Sequence, residues 1–231
     1  MPRSLLRPVL FFDFDNTLME GDILDQLIEK YSPNEAWRDW ENAWAEGHLP
    51  ARDCLRLQVE NMRVSRETLF EHLSHVRIDP VFAEIVEWTK PRQVGVNIVS
   101  DSFLPLILHI LHSNGIDGIP VFANALRFSA NDRLVPSFPF YDPAFDRSAN
   151  AKARHLAPYR GSRIIFAGDG HSDLDAALAA DVVFAKSTLA RELDARGVAF
   201  YPFDTLEPVL AFLETIGAAL GEPAAYDRQP E

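Results

Sequence analysis

Val9-Leu10-Phe11-Phe12-Asp13-Phe14-Asp15-Asn16-Thr17 is a short run of apolar, β-favouring residues that closes on two acids. An unbroken apolar run of this length suits a strand buried on both faces of a parallel sheet, where neither side meets water. The pattern recurs. Val94-Gly95-Val96-Asn97-Ile98-Val99 ends in Ser100-Asp101, and Arg163-Ile164-Ile165-Phe166-Ala167 ends in Gly168-Asp169-Gly170. Residues 181–185 and 198–201 are weaker strand candidates. Helical spacing at 103–113, 149–157, 173–180, 188–196 and 206–220 separates them. Strands alternating with helices predict an α/β fold, a doubly wound Rossmann-like parallel sheet. Such sheets place their sites at the carboxyl ends of the strands, near a topological switch point. The three best strands all end there in polar, acidic residues.

Two stretches interrupt the alternation. Residues 19–91 are helical in pattern throughout, with Trp37, Trp40 and Trp44 and then Leu55, Val59 and Met62 at helical spacing. This stretch is too long for a connection. It reads as a helical cap domain (19–91) inserted after the first strand of a core formed by 1–18 and 92–231. The second interruption, 118–143, has strand-like runs at 120–128 and 133–138 around Asn131-Asp132, and predicts a small β-hairpin insert. Residues 227–231 read as a frayed tail.

Composition narrows the function classes. The 231 residues carry 22 basic and 34 acidic side chains, a net charge of -12. A nucleic-acid binder would show a basic face, so no nucleic-acid partner is expected. An anionic small molecule stays compatible, because a metal ion and one or two local cations set the field in a pocket. Cys54 is the single cysteine, which rules out an intramolecular disulfide. It falls in a helical apolar pattern, as a small buried hydrophobe would. Residues 1–7 lack the apolar run of a signal peptide, and no run approaches the ~20 apolar residues of a membrane span. The expectation is a cytoplasmic protein with no membrane partner, monomeric or homodimeric.

The strand ends carry residues suited to phosphate chemistry. A phosphate monoester has about -1.5 to -2 charges at neutral pH. Its hydrolysis needs a nucleophile, a proton for the leaving oxygen, a cation, and donors for the phosphoryl oxygens. Asp13 and Asp15, at i and i+2 of an extended segment, can face one pocket. One can attack phosphorus and the other can pass a proton. Thr17 would fix the turn and help bind phosphate. Asp169 and Asp173 offer the oxygen ligands that Mg²⁺ prefers, the adjacent glycines, Gly170 included, let backbone approach the substrate, and Ser172 is placed to cap the following helix. The Ser100 hydroxyl and the next amide, at Asp101, can hold a phosphoryl oxygen. Lys152 can neutralise Asp13 and the phosphoryl group.

Together these stretches resemble the four signature motifs of the haloacid dehalogenase superfamily. Asp13-Phe14-Asp15-Asn16-Thr17 is similar to the first, Ile98-Val99-Ser100 to the second, Lys152 to the third, and Gly168-Asp169-Gly170-His171-Ser172-Asp173 to the fourth. The resemblance implies Asp13 as nucleophile and Asp15 as acid/base. It implies Mg²⁺ held by Asp13, the backbone carbonyl of Asp15, and Asp169, with Asp173 in support. A helical insert after the first motif resembles the phosphoserine phosphatase-like branch, in which Asp22 stands where relatives keep a substrate-contacting acid. The β-insert and Asp173-Leu174-Asp175-Ala176-Ala177 resemble the methionine-salvage enol-phosphate phosphatases of that branch. Ser100-Asp101-Ser102-Phe103 departs from the Ser-Gly-Gly of phosphoserine phosphatases and is similar to the Ser-Asp step of phosphoethanolamine/phosphocholine phosphatases. Asn16 replaces the commoner Gly, and Ser172 the commoner Asn.

The resemblance therefore implies a Mg²⁺-dependent phosphatase acting on a small phosphorylated metabolite: a methionine-salvage enol phosphate, phosphoserine, phosphocholine or phosphoethanolamine. A phosphomutase and a receiver-like signalling module are the rival readings. The Trp stripe is expected in the cap's own core, with a substrate lid or a cage for a quaternary amine as the alternative; His171 is expected beside the substrate rather than on the metal, and Arg52, Arg56 and Arg63 on one solvated helix face.

Overall fold

The computed structural model describes residues 7–129, 131 and 133–220. The readings for residues 1–6, Asp132 and the tail at 227–231 lie outside them. Seven strands form one sheet: β1 (Pro8–Phe12), β2 (Gly95–Phe103), β3 (Val121–Phe128), β4 (Leu134–Ser137), β5 (Arg163–Gly168), β6 (Val182–Ala185) and β7 (Tyr201–Pro202). Their order is β4-β3-β2-β1-β5-β6-β7. All neighbours are parallel except β3 and β4. The chain leaves β1 to one side for β2 and later returns to its other side with β5, so the switch point lies at the carboxyl end of β1, where Asp13 follows.

Alternation along β1 explains why every residue of it is buried. Val9 and Phe11 face one apolar cluster and Leu10 and Phe12 the other. The first cluster is closed by α7 (Lys152–Leu156), α8 (Leu174–Ala179) and α9 (Ser187–Ala195), through Leu156, Leu174 and Leu189. The second is closed by α5 (Pro80–Thr89), α6 (Leu104–Ser113) and α10 (Glu207–Leu220), through Phe82, Ile107 and Val209. This is the doubly wound α/β arrangement.

Between β1 and α5 run α1 (Ile23–Tyr31), α2 (Ala36–Ala45), α3 (Ala51–Asn61) and α4 (Arg66–Leu73). They supply the helical insert, but α5 lies on the sheet: its Phe82 meets Phe12 edge-on at 5.3 Å. Asp79, the N-cap of α5, also accepts the Leu206 N–H at 2.8 Å. Ile23, Leu27, Val59 and Leu69 of the insert join the same apolar cluster as the sheet.

The expected hairpin is present as β3 and β4, and β3 also pairs with β2, so it extends the main sheet to an antiparallel edge. Other expectations are corrected. The helix expected at 149–157 begins only at Lys152, since residues 148–150 are tied to β2. The last strand is two residues, Tyr201–Pro202, after the expected 198–201. The Trp stripe is not a core: no residue of α2 is buried. Arg63 follows α3 and donates to the carbonyls of Glu60, Asn61 and Met62 at the helix end, where C-terminal carbonyls lack partners. Among the described residues no helix is long and apolar enough to cross a membrane.

Candidate active site

The carboxyl ends of β1, β2 and β5 converge beneath the insert on one cavity. It is lined by Asp13, Asp15, Asp22, Ser100, Asp101, Lys152, Asp169 and Gly170 from the sequence-predicted set. The Asp13 N–H donates to Ala167 O at 2.9 Å, extending the β1–β5 ladder by one bond and fixing Asp13 at the strand's end. Asn16 then adopts φ 52, a left-handed conformation that Asn tolerates and Gly favours. This accounts for the residue type at that turn.

Lys152 organises the buried charge. Its Nζ donates to Asp13 Oδ1 at 2.7 Å, to Asp173 Oδ1 at 2.7 Å and to Ser172 Oγ at 3.1 Å. Burial opposes the ammonium, but Asp13, Asp173 and Asp101 more than offset it and hold its pKa well above the usual range. Ser172 is therefore an acceptor for Lys152 and not the expected helix cap; α8 has no side-chain cap bond.

Asp173 is fully buried and lies behind the cavity rather than on it. Its Oδ2 accepts the N–H groups of Asp169 and Gly170 at 3.0 and 2.9 Å, so it shapes the loop that presents Asp169. Gly168 is required beside it: a Cβ there would come within 2.7 Å of the Asp173 carboxylate. Gly170, also expected to permit close backbone approach, has room for a Cβ.

The carboxylate oxygens of Asp13, Asp169 and Asp173 lie within 4.8 Å of one another. Burial, with the neighbouring Asp173, pushes Asp169 up to about 7. Burial, Asp173 and Asp169 push Asp13 upward too, against the pull of Lys152. Crowded oxygens short of positive charge fit a hard divalent cation. Asp173 is already committed to Lys152 and two amides, which leaves Asp13 and Asp169 as the carboxylates free to ligate.

Asp15 is held differently. Its Oδ1 accepts the Ile23 N–H at 2.9 Å. Burial and the Asp22 charge nevertheless raise its pKa well above the carboxylate range, which keeps a proton available for transfer. Asp22 is the N-cap of α1, accepting the Asp25 N–H at 3.0 Å, and it also faces the cavity.

The three expected phosphate contacts differ in placement. Ser100 lines the cavity, and its Oγ accepts the Ser102 N–H at 2.9 Å. Asp101 borders the cavity, but its carboxylate accepts from Ser148 Oγ at 2.6 Å, Ala149 N at 3.2 Å and Asn150 N at 2.9 Å, so it anchors the loop before Lys152. Thr17 is buried outside the cavity lining. Sequence reasoning missed Asn150, whose side-chain amide donates to Ser100 O and Phe122 O at 2.9 and 2.8 Å. It also missed Asp25, Glu41 and Gln58 of the insert's wall, and it assigned Trp44 of that wall to the cap's core. Asn150 lies two residues before Lys152, but no pattern marked it. Asp25, Glu41 and Gln58 look like ordinary helix surface.

The chain matches the family model of haloacid dehalogenase-like hydrolases over residues 10–178. It is 26% identical to a polyol phosphate phosphatase of Saccharomyces cerevisiae, covering 92% of this chain and 95% of the relative. It is 28% identical to the phosphoserine phosphatase of Mus musculus, covering 74% and 77%, and 26% identical to a 2-hydroxy-3-keto-5-methylthiopentenyl-1-phosphate phosphatase of Brevibacillus brevis, covering 90% and 96%. A phosphoserine phosphatase structure from T. onnurineus superposes with a TM-score of 0.67 at 18% identity, covering 93% of this chain and 98% of that one, a likeness of fold. A doubly wound sheet with its acids at the switch point, and a family match across both acidic stretches, lead to one conclusion: the chain belongs to the haloacid dehalogenase-like hydrolase family and is one of its phosphatases.

Proposed function

We propose that this chain hydrolyses a small-molecule phosphate monoester through an aspartyl-phosphate on Asp13, with Mg²⁺ as cofactor. The observation that carries the reading is the Lys152 ammonium bridging Asp13 and Asp173, beside a second acid, Asp15, biased toward its protonated form. The Asp13 oxygen not held by Lys152 attacks phosphorus as the bond to the leaving oxygen breaks. Asp15 gives that oxygen its proton. Water then attacks the phosphoryl group, Asp15 takes a proton from it, and the bond to Asp13 breaks. Free phosphate leaves and both carboxyl groups are restored.

Asp13 and Asp169, with the Asp15 carbonyl that the family resemblance implies, would hold the Mg²⁺. When bound, it neutralises charge on the phosphoryl oxygens. Lys152 orients Asp13 and shields its charge from the approaching phosphate. The cavity under the insert gives a leaving group a wall of its own. A receiver module has no use for such a wall.

Turnover of p-nitrophenyl phosphate with Mg²⁺ tests the proposal. Asp13→Asn should fall below about a thousandth of wild-type kcat/KM, as for other lost nucleophiles. Undiminished turnover in that variant would overturn it.

A further inference from the structure

The half of the cavity farthest from the strand ends is built by α1, α2 and α3, and its charge is one-sided. Asp22 and Asp25 stand three apart at the start of α1, and Glu41 and Trp44 three apart on α2, so each pair shares a helix face. All four line the cavity. Glu41 accepts the Gln58 Nε2–H at 2.8 Å, which steers its carboxylate without neutralising it. Among the described residues neither Asp25 nor Glu41 has an ion-pair partner. Asp25 keeps an exposed edge, yet partial burial and the charges of Asp22, Glu41 and Glu29 push it up to about 7. The cavity's own cations cannot answer this charge. Lys152 is held by Asp13 and Asp173. Arg147 is 53% exposed and reaches Glu192 at 3.4 Å.

A second observation comes from β2. Ser100 and Ser102 sit at i and i+2 of β2, and both line the cavity. Ser102 is 2% exposed, yet its hydroxyl has no hydrogen-bond partner. A buried hydroxyl is normally satisfied, so this one is left to bond a polar group of a molecule in the cavity.

We propose that the insert's wall is an ammonium subsite, and that the physiological substrate is the phosphate monoester of a small amino alcohol. This rests on the phosphatase reading above. The phosphoryl group meets Asp13, the linking portion passes the Ser102 hydroxyl, and the cationic nitrogen lies against Asp25, Glu41 and the face of Trp44. Carboxylates and an indole face together attract a cation strongly once it is desolvated. A leaving group with its own carboxylate meets three acids and no available cation, which selects against phosphoserine. A polyol could bond the same oxygens but would leave their charge uncompensated.

The deciding experiment compares phosphocholine with 3,3-dimethylbutyl phosphate, its uncharged isostere. Phosphoethanolamine, phosphoserine, sorbitol 6-phosphate and p-nitrophenyl phosphate complete the panel. Wild-type kcat/KM should favour phosphocholine over the isostere by about tenfold or more, the scale of one desolvated cation–aromatic and charge contact. Phosphoserine should be poorer than phosphoethanolamine. Asp25→Asn and Glu41→Gln should each shrink the phosphocholine-to-isostere ratio, chiefly through KM. A ratio near one in wild type, a ratio unmoved by both variants, or preference for phosphoserine or sorbitol 6-phosphate would overturn the subsite while leaving the phosphatase intact. Failure to hydrolyse any ester, p-nitrophenyl phosphate included, would instead remove the reading beneath it.

Discussion

Asp15 Oδ1 accepts the backbone N–H of Ile23, the first residue of α1, at 2.9 Å. The proposed acid/base is thereby tied to the insert that covers it. The N–H stabilises the charged carboxylate and so works against burial, which favours the acid. Proline is tolerated at the first helical position because its missing N–H leaves no intrahelical bond unmade. Ile23→Pro should therefore remove this one donor. The Asp15 pKa should rise and the alkaline limb of the kcat profile move to higher pH. Ile23 is fully buried, so Ile23→Ala is the control for lost packing and should leave that limb in place. Equal limbs in the two variants would show that the bond does not tune Asp15.

Asp173 acts through others. One oxygen holds Lys152 and the other holds two loop amides. Asp173→Asn keeps the shape but sets an NH₂ group against one of those donors. Mg²⁺ affinity should drop by about 10–100-fold, the usual effect of losing a group that orients a ligand. Calorimetric titration reads this directly. An unchanged Mg²⁺ affinity would make Asp173 a packing residue only.

Much of this was legible in the sequence, for a physical reason. β1, β2 and β5 are buried on both faces, so they appear as apolar runs, and the acids that end them stand out by contrast. What stayed hidden depends on long-range or compensating contacts. Asp101 and Asn150 exchange bonds with backbone atoms across 48–50 positions of sequence, and no local spacing encodes that. The Trp stripe was misread because aromatic periodicity shows which helix face is apolar without showing what covers it. Trp44 faces the cavity, and Trp37 is only half covered. Asp25 and Glu41 read as separate helix-surface acids until α1 and α2 bring them to one cavity.

The Asp101 network makes a prediction of its own. Its carboxylate gathers Ser148, Ala149 and Asn150, and Asn150 in turn bonds Ser100 and Phe122. Asp101→Ala would orphan the Ala149 N–H and leave Asn150 N–H with Ser148 Oγ alone, a loss of about 1–3 kcal/mol where no water replaces the acceptor. Thermal unfolding should show a loss of that order. The rate should fall as well, because this loop delivers Lys152. Loss of rate with wild-type stability would instead point to direct substrate contact.

pH gives the last test. Asp169 titrates near 7 in the metal-free fold and near the ordinary value of about 3.9 when unfolded. Between those values the folded chain binds more protons than the unfolded one, so stability falls as pH rises. In EDTA, Tm should therefore decline from pH 5 to pH 8. A cation competes with the proton for the same oxygens, so the Tm gain from added Mg²⁺ should be small at pH 5 and grow toward pH 8. Asp25 is also pushed up to about 7 but is exposed on the insert's wall, so its share of the decline, reduced by solvent screening, should survive Mg²⁺. Asp169→Asn should abolish the Mg²⁺-dependent gain and leave that share behind, whereas Asp25→Asn should flatten the residual slope and keep the gain. A Mg²⁺ gain that stays constant or shrinks as pH rises would mean that the cation is not bound where these carboxylates crowd.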